Sequence, residues 1–339
     1  MDKTSFDDKS HSAGDPEMKK VFITGISGLL GANMTEVLLE NGFSIRGLAR
    51  EPGRYHGVRN SGLEIIRGNI TDDLIHHLYD ADAVIHIAAE TSQSITRYTS
   101  YWKNNFYATI QLFHAAEKAG VKKFIYVSTA NTIGNGPLND PGNEDRRIHP
   151  HFQASWYVQS KLAAENYLIQ HAGRTDVIII NPCFMIGSLD SKPSSGKLLM
   201  MGWKRRVIFY PPGGKNFVPV KDVCNGILKA LTVGKSGERY LLANRNLTYR
   251  DFFICLNRLT NQNPLMIRIP RALMFLSGLA GDLLRSVHIP TAASSVNVKI
   301  LCSENYYDNR KSVDELQIEY TPLDEAILDA IDYFEKNKS

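Results

Sequence analysis

An α/β fold built on a doubly wound parallel sheet is what two features of this 339-residue chain predict. Short apolar runs alternate with helical patterns through the first half, and a glycine-rich turn joins the first run to the first helix. The predicted strands are 21–23, 44–48, 63–66, 83–86, 123–127 and 177–180, and the predicted helices between them are 33–40, 75–79, 106–119 and 157–171. Strands that alternate with helices in this way form a parallel sheet covered on both faces. Breakers gather after Gly187, and Pro211-Pro212-Gly213-Gly214 and Asn263-Pro264 mark later turns. The chain therefore divides into a nucleotide-binding unit of residues 18–182 plus about 217–244, and a smaller mixed α/β substrate lobe of 183–216 and 245–339. The two are interleaved, and no internal repeat is visible.

The turn itself is Thr24-Gly25-Ile26-Ser27-Gly28-Leu29-Leu30-Gly31. A first glycine permits a sharp exit from the strand, and a second lets a pyrophosphate approach the backbone. The third brings helix and strand together, and the phosphates then meet unpaired N–H groups at the positive end of the helix. Placed between an apolar strand and a helix, the triplet reads as the dinucleotide fingerprint of a Rossmann sheet. Thr24, Gly25, Ser27, Gly28, Leu29, Leu30 and Gly31 are its cofactor-binding candidates.

Composition narrows the class. Hydrophobic residues make up 43%, enough for a large core, and a formal charge of +4 gives no nucleic-acid stripe. Lys204-Arg205-Arg206 is the one tight basic cluster of the second half and reads as a solvated face or a contact for an anionic substrate. Cys183, Cys224, Cys255 and Cys302 stand far apart among apolar neighbours, as buried free thiols do, and a reducing cytoplasm is the expected location. His76-His77 and His149-Pro150-His151 lack helix-face metal spacing, so no metal is assigned. Residues 1–17 read as a flexible tail with no signal-peptide core, with Met18 a candidate start. The apolar run 272–284 is too short to span a bilayer. It reads as a lobe helix, with an interfacial membrane contact as the other reading.

The second motif is Tyr157-Val158-Gln159-Ser160-Lys161 at the start of a helical pattern. A spacing of four puts Tyr157 and Lys161 on one helix face, where an ammonium is expected to lower the phenol's pKa. A phenol tuned in this way exchanges a proton with a carbonyl or alcohol oxygen. Ser128 and Thr129 end the predicted strand before it and offer hydroxyls to the same oxygen.

With these motifs in place, the chain resembles the extended short-chain dehydrogenase/reductase family, the NAD-dependent epimerase/dehydratase superfamily, from Met18 onward. Thr-Gly-x-x-Gly-x-x-Gly is complete at 24–31, Tyr-x-x-x-Lys at 157–161, and Val127-Ser128-Thr129-Ala130 matches the strand-end motif. Asn105-Phe106-Tyr107-Ala108-Thr109 resembles the family's Asn-x-x-Gly-Thr stretch with Ala108 in place of glycine, and 217–223 resembles a late family segment whose Asp222 is structural. Softer likenesses at 180–187, 237–242 and 306–316 point to dihydroflavonol-4-reductase-like and hopanoid-associated members. The resemblance implies Thr129, Tyr157 and Lys161 as catalytic residues with Ser128 as a lesser contributor. It also implies cofactor contacts from Asn69, Ile70, Ala88, Ala89, Asn105 and Pro182, with turn-making the equal alternative for Asn69 and fixing the sheet end the alternative for Asn105. It makes His86 a core histidine and leaves homodimer pairing through 106–119 and 157–171 open.

Two departures choose among reactions. Relatives that bind NAD through the ribose carry an acid at the end of the second strand, whereas Ala49 stands here and Arg50 follows. A missing carboxylate removes repulsion against a 2′-phosphate and Arg50 supplies a fork for one, so NADP(H) is favoured and NAD(H) is the alternative. Arg54 is a second candidate for the phosphate. Phe184 replaces the asparagine with which sugar-nucleotide enzymes meet substrate phosphates, and Ala130-Asn131 replaces the Asp-Glu of dehydratases. With Met185 and Asn131, Phe184 is a candidate substrate contact, and Met200, Met201, Trp203, Phe209 and Tyr210 suggest an apolar or aromatic guest. The expected activity is carbonyl/alcohol redox chemistry on a small molecule. The alternatives are an NAD-dependent nucleotide-sugar epimerase and a non-catalytic cofactor-binding protein.

Overall fold

The computed structural model describes residues 19–95, 97–191 and 195–337. The predicted tail 1–17, Met18, and Lys192 and Pro193 of the loop after Gly187 lie outside these residues. The six predicted strands are present as β1 (Lys20–Thr24), β2 (Ser44–Ala49), β3 (Leu63–Arg67), β4 (Ala83–His86), β5 (Lys123–Val127) and β6 (Asp176–Pro182). After the short β7 (Phe184–Ile186), β8 (Val207–Tyr210) and β9 (Gly214–Pro219), the strand β10 (Arg239–Leu242) joins β6 and completes a seven-stranded sheet. Its order is β10-β6-β5-β4-β1-β2-β3 and every pairing is parallel.

Both faces of this sheet are dry, and a side-chain period of two sorts the strand residues between them. Val21, Ile23, Ile85, Ile125 and Ile178 face one way, onto Leu30, Met34 and Leu38 of the Leu29–Glu40 helix and Val223 and Ile227 of the Val220–Val233 helix. Phe22, Val84, Phe124 and Val177 face the other way, onto Leu112 and Phe113 of the Ala108–Ala119 helix and Leu168 of the Trp156–Gln170 helix. The apolar strand runs read as continuous for this reason.

Three helix boundaries differ from the sequence reading. The first helix begins at Leu29, inside the glycine turn, because Gly31 is helical. The expected helix 75–79 is only the 3-10 turn Ile75–His77, since an aspartate-flanked run of five residues is too short to sustain an α-helix. The helix expected from residue 106 is preceded by one turn at Tyr98–Tyr101 and a π-helical segment at Trp102–Tyr107. A left-handed Gly120 (φ +78°) ends it.

The smaller region contains two further sheets. Strand β9 pairs with β7, with β11 (Arg245–Thr248) and with β13 (Glu304–Asn305), while β8 pairs with β12 (Leu265–Arg268). Phe217 to Pro219 thus belong to the smaller sheet, and the chain returns to the large one at Val220. Trp203, Tyr210, Phe217, Phe252, Phe253 and Phe334 fill its core. All four cysteines are buried and unpaired with one another. Asp222 is buried and accepts hydrogen bonds from Thr321 N, Thr321 Oγ1 and Asn244 Nδ2, a structural clasp as expected.

Candidate active site

A cavity of about 850 Å³ opens over the carboxyl ends of β1, β2, β4, β5 and β6. This is the crevice between β1 and β4 where the strand order reverses, the usual ligand position in an open α/β sheet. Its floor is the glycine turn, and the three glycines act differently. Gly25 has φ +76°, and a Cβ there would stand 2.8 Å from Ala88 N. A Cβ on Gly31 would stand 2.2 Å from Gly25 O, so helix and strand meet only because this position is bare. A Cβ on Gly28 would meet nothing closer than Gly25 O at 3.4 Å. Packing therefore tolerates a side chain at Gly28, and its bareness instead leaves room in the cavity it lines, at the start of a twelve-residue helix. That cradle fits the pyrophosphate of a dinucleotide.

Behind the floor runs a chain of buried hydrogen bonds. Thr24 Oγ1 accepts from Ile87 N and Ala88 N at 3.2 and 3.1 Å, so its own proton goes to His86 Nδ1 at 2.7 Å. The Nε2–H of His86 then donates to Thr109 Oγ1 (2.9 Å), whose hydroxyl donates to Asn105 O (2.8 Å). Burial and the nearby Lys161 push His86 down to about 3, so it is a neutral core histidine. Asn105 lies in the π-helical segment, and its amide brackets Glu90, accepting from Glu90 N (2.7 Å) and donating to Glu90 O (3.0 Å) and Ser160 Oγ (3.1 Å). Thr24 and Asn105 thus hold the wall from behind rather than lining it.

On the other side, the Trp156–Gln170 helix brings Tyr157 and Lys161 to the cavity. The two side chains diverge. Lys161 Nζ donates to Val127 O (2.7 Å) and lies 4.2 Å over the Tyr126 ring, while the Tyr157 phenol meets the Thr129 hydroxyl. Burial pushes Tyr157 up to about 12, which the Thr129 contact only partly offsets, and pushes Lys161 down to about 7, opposed by Glu165. The expected lowering of the phenol by the lysine is therefore not the dominant effect in this structure. Desolvation favours the neutral form of each group.

Glu165, one turn beyond Lys161, is fully buried and was not picked out from the sequence, although its spacing of four from Lys161 was readable. It accepts from Thr132 Oγ1 (2.6 Å) and Asn181 Nδ2 (3.0 Å) and faces Arg239 Nε at 3.1 Å. Thr132 Oγ1 also lies 2.7 Å from Thr129 O, and Asn181 Nδ2 donates to that carbonyl at 3.1 Å. The strand end that carries Ser128 and Thr129 is pinned by this network.

Of the sequence-predicted residues, Gly25, Ser27, Gly28, Leu29, Leu30, Arg50, Asn69, Ile70, Ala88 and Ala89 line the cavity. So do Ser128, Asn131, Tyr157, Lys161, Pro182, Phe184 and Met185. Thr129 reaches Tyr157 without lining the wall, and Gly31 is enclosed by the turn. Arg54 is paired with Glu51 (2.8 Å), which leaves Arg50 as the cavity arginine on this edge. Trp203 and Tyr210 are core, and Met201 and Phe209 are exposed on the surface, so none of them lines the cavity. Sequence reasoning also missed Lys215, whose Nζ stands 4.2 Å over Phe184 and which burial pushes down to about 8. It has no carboxylate partner among the described residues. Its signal lay two residues before the recognised 217–223 segment.

A Rossmann sheet with a glycine cradle and a tyrosine–lysine pair in one cavity defines a nicotinamide-nucleotide enzyme. The chain belongs to the NAD-dependent epimerase/dehydratase family, whose sequence profile matches residues 21–243, and so to the extended short-chain dehydrogenases/reductases. It is 29% identical over 329 residues to a Synechocystis protein whose name proposes it as a dihydroflavonol 4-reductase, covering 93% of this chain and 94% of that one. It is 28% identical over 319 residues to sterol demethylase protein B of Methylococcus capsulatus, covering 92% and 97%. The Bordetella bronchiseptica enzyme WbmH, solved with NAD+, superposes with a TM-score of 0.73 at 24% identity over 95% of this chain and 100% of that one, a likeness of fold.

The depressed Lys161 gives a pH prediction. Its amine holds a proton up to 10.5 ordinarily but only to about 7 here. Below about pH 7 folding carries the full penalty of a buried ammonium, and between about 7 and 10.5 the unfolded chain binds more protons, so stability rises with pH. Lys161→Met is expected to be more stable than the parent at pH 6.5 by at least about 1 kcal/mol, with the difference closing by about pH 10. Urea unfolding at both pH values measures it, and a pH-independent difference contradicts it.

Proposed function

We propose that the protein is an NADP(H)-dependent oxidoreductase that interconverts a carbonyl and an alcohol on a small, apolar substrate. The observation that carries this reading is the Tyr157 phenol against the Thr129 hydroxyl, in the same cavity as the glycine cradle. A nicotinamide dinucleotide, when bound, supplies or accepts the hydride. Tyr157, protonated at neutral pH, gives its proton to the substrate carbonyl oxygen, and Thr129 with Ser128 holds that oxygen. Lys161 orients the ribose from its place on Val127 O. Restraint of the reacting groups by the Glu165 network supplies the orientation that such a transfer needs.

The NADP(H) preference rests on Ala49 and Arg50 at the end of β2, with no carboxylate at either position. The apolar substrate rests on Phe184, Met185, Ile300 and Leu301 along the cavity, and a sterol-named relative supports it. Lys215 adds a cation to this wall, which suits a substrate that carries a carboxylate or another anionic oxygen beside its apolar body.

A screen of NADPH oxidation over aldehydes, ketones, flavanonols and ketosteroids, with NADH beside it, tests the reading. Bound NAD that survives purification, with no net absorbance change in turnover, is instead the signature of an epimerase. Tyr157→Phe is expected to lose about 10²–10⁴-fold in turnover with NADPH binding kept, since general acid catalysis contributes on that scale. Full activity in that variant removes the mechanism. Arg50→Ala is expected to weaken NADPH binding by about ten- to hundredfold with NADH nearly unaffected, the worth of a charge-assisted contact. Ala49→Asp moves preference the same way, and titration of both cofactors against each variant decides it. Lys215→Met should raise KM for carboxylated substrates and leave neutral ketones unchanged, and an equal effect on both classes counts against the anionic contact.

A further inference from the structure

The Arg271–Ser286 helix is built inside out. Its inward side carries Met274, Gly278 and Gly281, and a Cβ on Gly281 would stand 2.1 Å from Ala293 O. Its leucines point outward instead. Leu273, Leu276, Leu279, Leu283 and Val287 are 58–70% exposed, and Phe275 and Leu284 are exposed beside them. At 100° per residue these seven fall on one half of the helix, the half a globular protein ordinarily makes polar. Contiguous apolar surface on this scale marks a contact site rather than chance exposure.

A second apolar face adjoins it in the chain. Strands β8 and β12 pair Val207 with Leu265 and Phe209 with Ile267, and all four side chains are exposed. Strand β12 runs into the helix through Ile269 and Pro270. Cations frame both faces. Lys204-Arg205-Arg206 precedes β8, and Arg268 and Arg271 stand at the junction. From residue 252 to residue 303 the sequence holds Arg258, Arg268, Arg271, Arg285 and Lys299 against the single carboxylate Asp282. Arg258 is paired with Asp324 and Arg285 turns inward to Gln93 O and Ile95 O, so Arg268 and Arg271 carry the charge at the junction. Asp282 is engaged by Ser295 N.

We propose that this face docks on an anionic phospholipid surface, with the helix lying in the headgroup plane and its leucines in the acyl boundary. Sixteen residues span about 24 Å, short of a bilayer core, and no helix among the described residues is long and apolar enough to cross one. Apolar residues on one face with arginines around it are what an interfacial helix requires. A second copy of the chain fits less well. Self-pairing sets this arginine-rich surface against its own copy, with Asp282, the one carboxylate from 252 to 303, already engaged by Ser295 N, so that like charge meets like. The helix also borders the reaction space, since Asp282, Arg285 and Ser286 line a smaller cavity with Trp156 and Tyr157. Docking therefore brings the helix that borders this cavity to a source of apolar substrate, a consequence that rests on the substrate reading above. The docking itself does not depend on it.

Flotation of the full chain with vesicles of phosphatidylcholine alone, and of phosphatidylcholine mixed with phosphatidylglycerol, tests the proposal without any turnover. The chain is expected to float with the anionic vesicles, at least about tenfold less with the neutral ones, and less in high salt. Leu276→Glu/Leu279→Glu/Leu283→Glu replaces only exposed side chains and should abolish flotation with an unchanged circular dichroism spectrum and NADPH affinity. Arg268→Ser/Arg271→Ser should lower flotation on anionic vesicles alone. A parent chain that does not float, or a triple variant that floats like the parent, overturns the proposal. So does sedimentation showing a parent dimer that the triple variant splits, which makes the face a self-association surface.

Discussion

The carboxyl ends of the central strands bury polar groups that must satisfy one another, and the site depends on that constraint. Thr24, His86, Thr109 and Asn105 form one run of hydrogen bonds behind β1 and β4, and Thr132, Glu165 and Asn181 form another behind β5 and β6. An unsatisfied buried donor or acceptor costs about 1–3 kcal/mol, so each run is fixed as a unit. The first sets the level of Ala88 and Glu90 against the glycine turn, and the second sets Thr129 against Tyr157. Between them the cavity has two rigid walls.

The sequence made the sheet legible because its strands are buried on both faces and therefore read as unbroken apolar runs. All six predicted strands are present, and the glycine triplet located the first crossover. Helix ends were less legible. Gly31 reads as part of the turn ahead of a helix at 33, yet it is helical, and the close approach to Gly25 O requires it to be bare. The π-helical segment before Ala108 leaves no mark in a pattern of apolar spacing, since it is set by what Asn105 must reach.

The site was legible wherever a residue type carried its own chemistry at a fixed spacing, as Tyr157 and Lys161 do. It was not legible where tertiary placement decides the role. Asn105 and Thr24 read as cofactor contacts, but both use their polar atoms on protein. Lys161 is in the expected place with an unexpected partner, because the carbonyl of Val127 lies within its reach. Lys215 and Glu165 became visible only when β9 was placed beside β7 and the Trp156–Gln170 helix against β6. The aromatic residues from 203 to 210 show the limit of composition, since alternation along β8 puts Ile208 and Tyr210 in the core and Phe209 outside.

That alternation joins the two halves of the molecule into one physical argument. In the large sheet, a hydrophobic residue on either face meets a helix, so apolar sequence and burial coincide. In the smaller region the same period of two leaves Val207, Phe209, Leu265 and Ile267 without a covering layer, and the helix that follows β12 turns its glycines inward. Glycines there are not a concession to poor packing. They let the Arg271–Ser286 helix lie close against the Ser295–Cys302 helix, whose Ile300 and Leu301 face the cavity. A larger residue at Gly278 or Gly281 would push the outer helix away and loosen the substrate wall. The contacts at Gly278 and Gly281 leave no room there for a leucine, so a tight substrate wall and an apolar outer face are two sides of the same close helix pair.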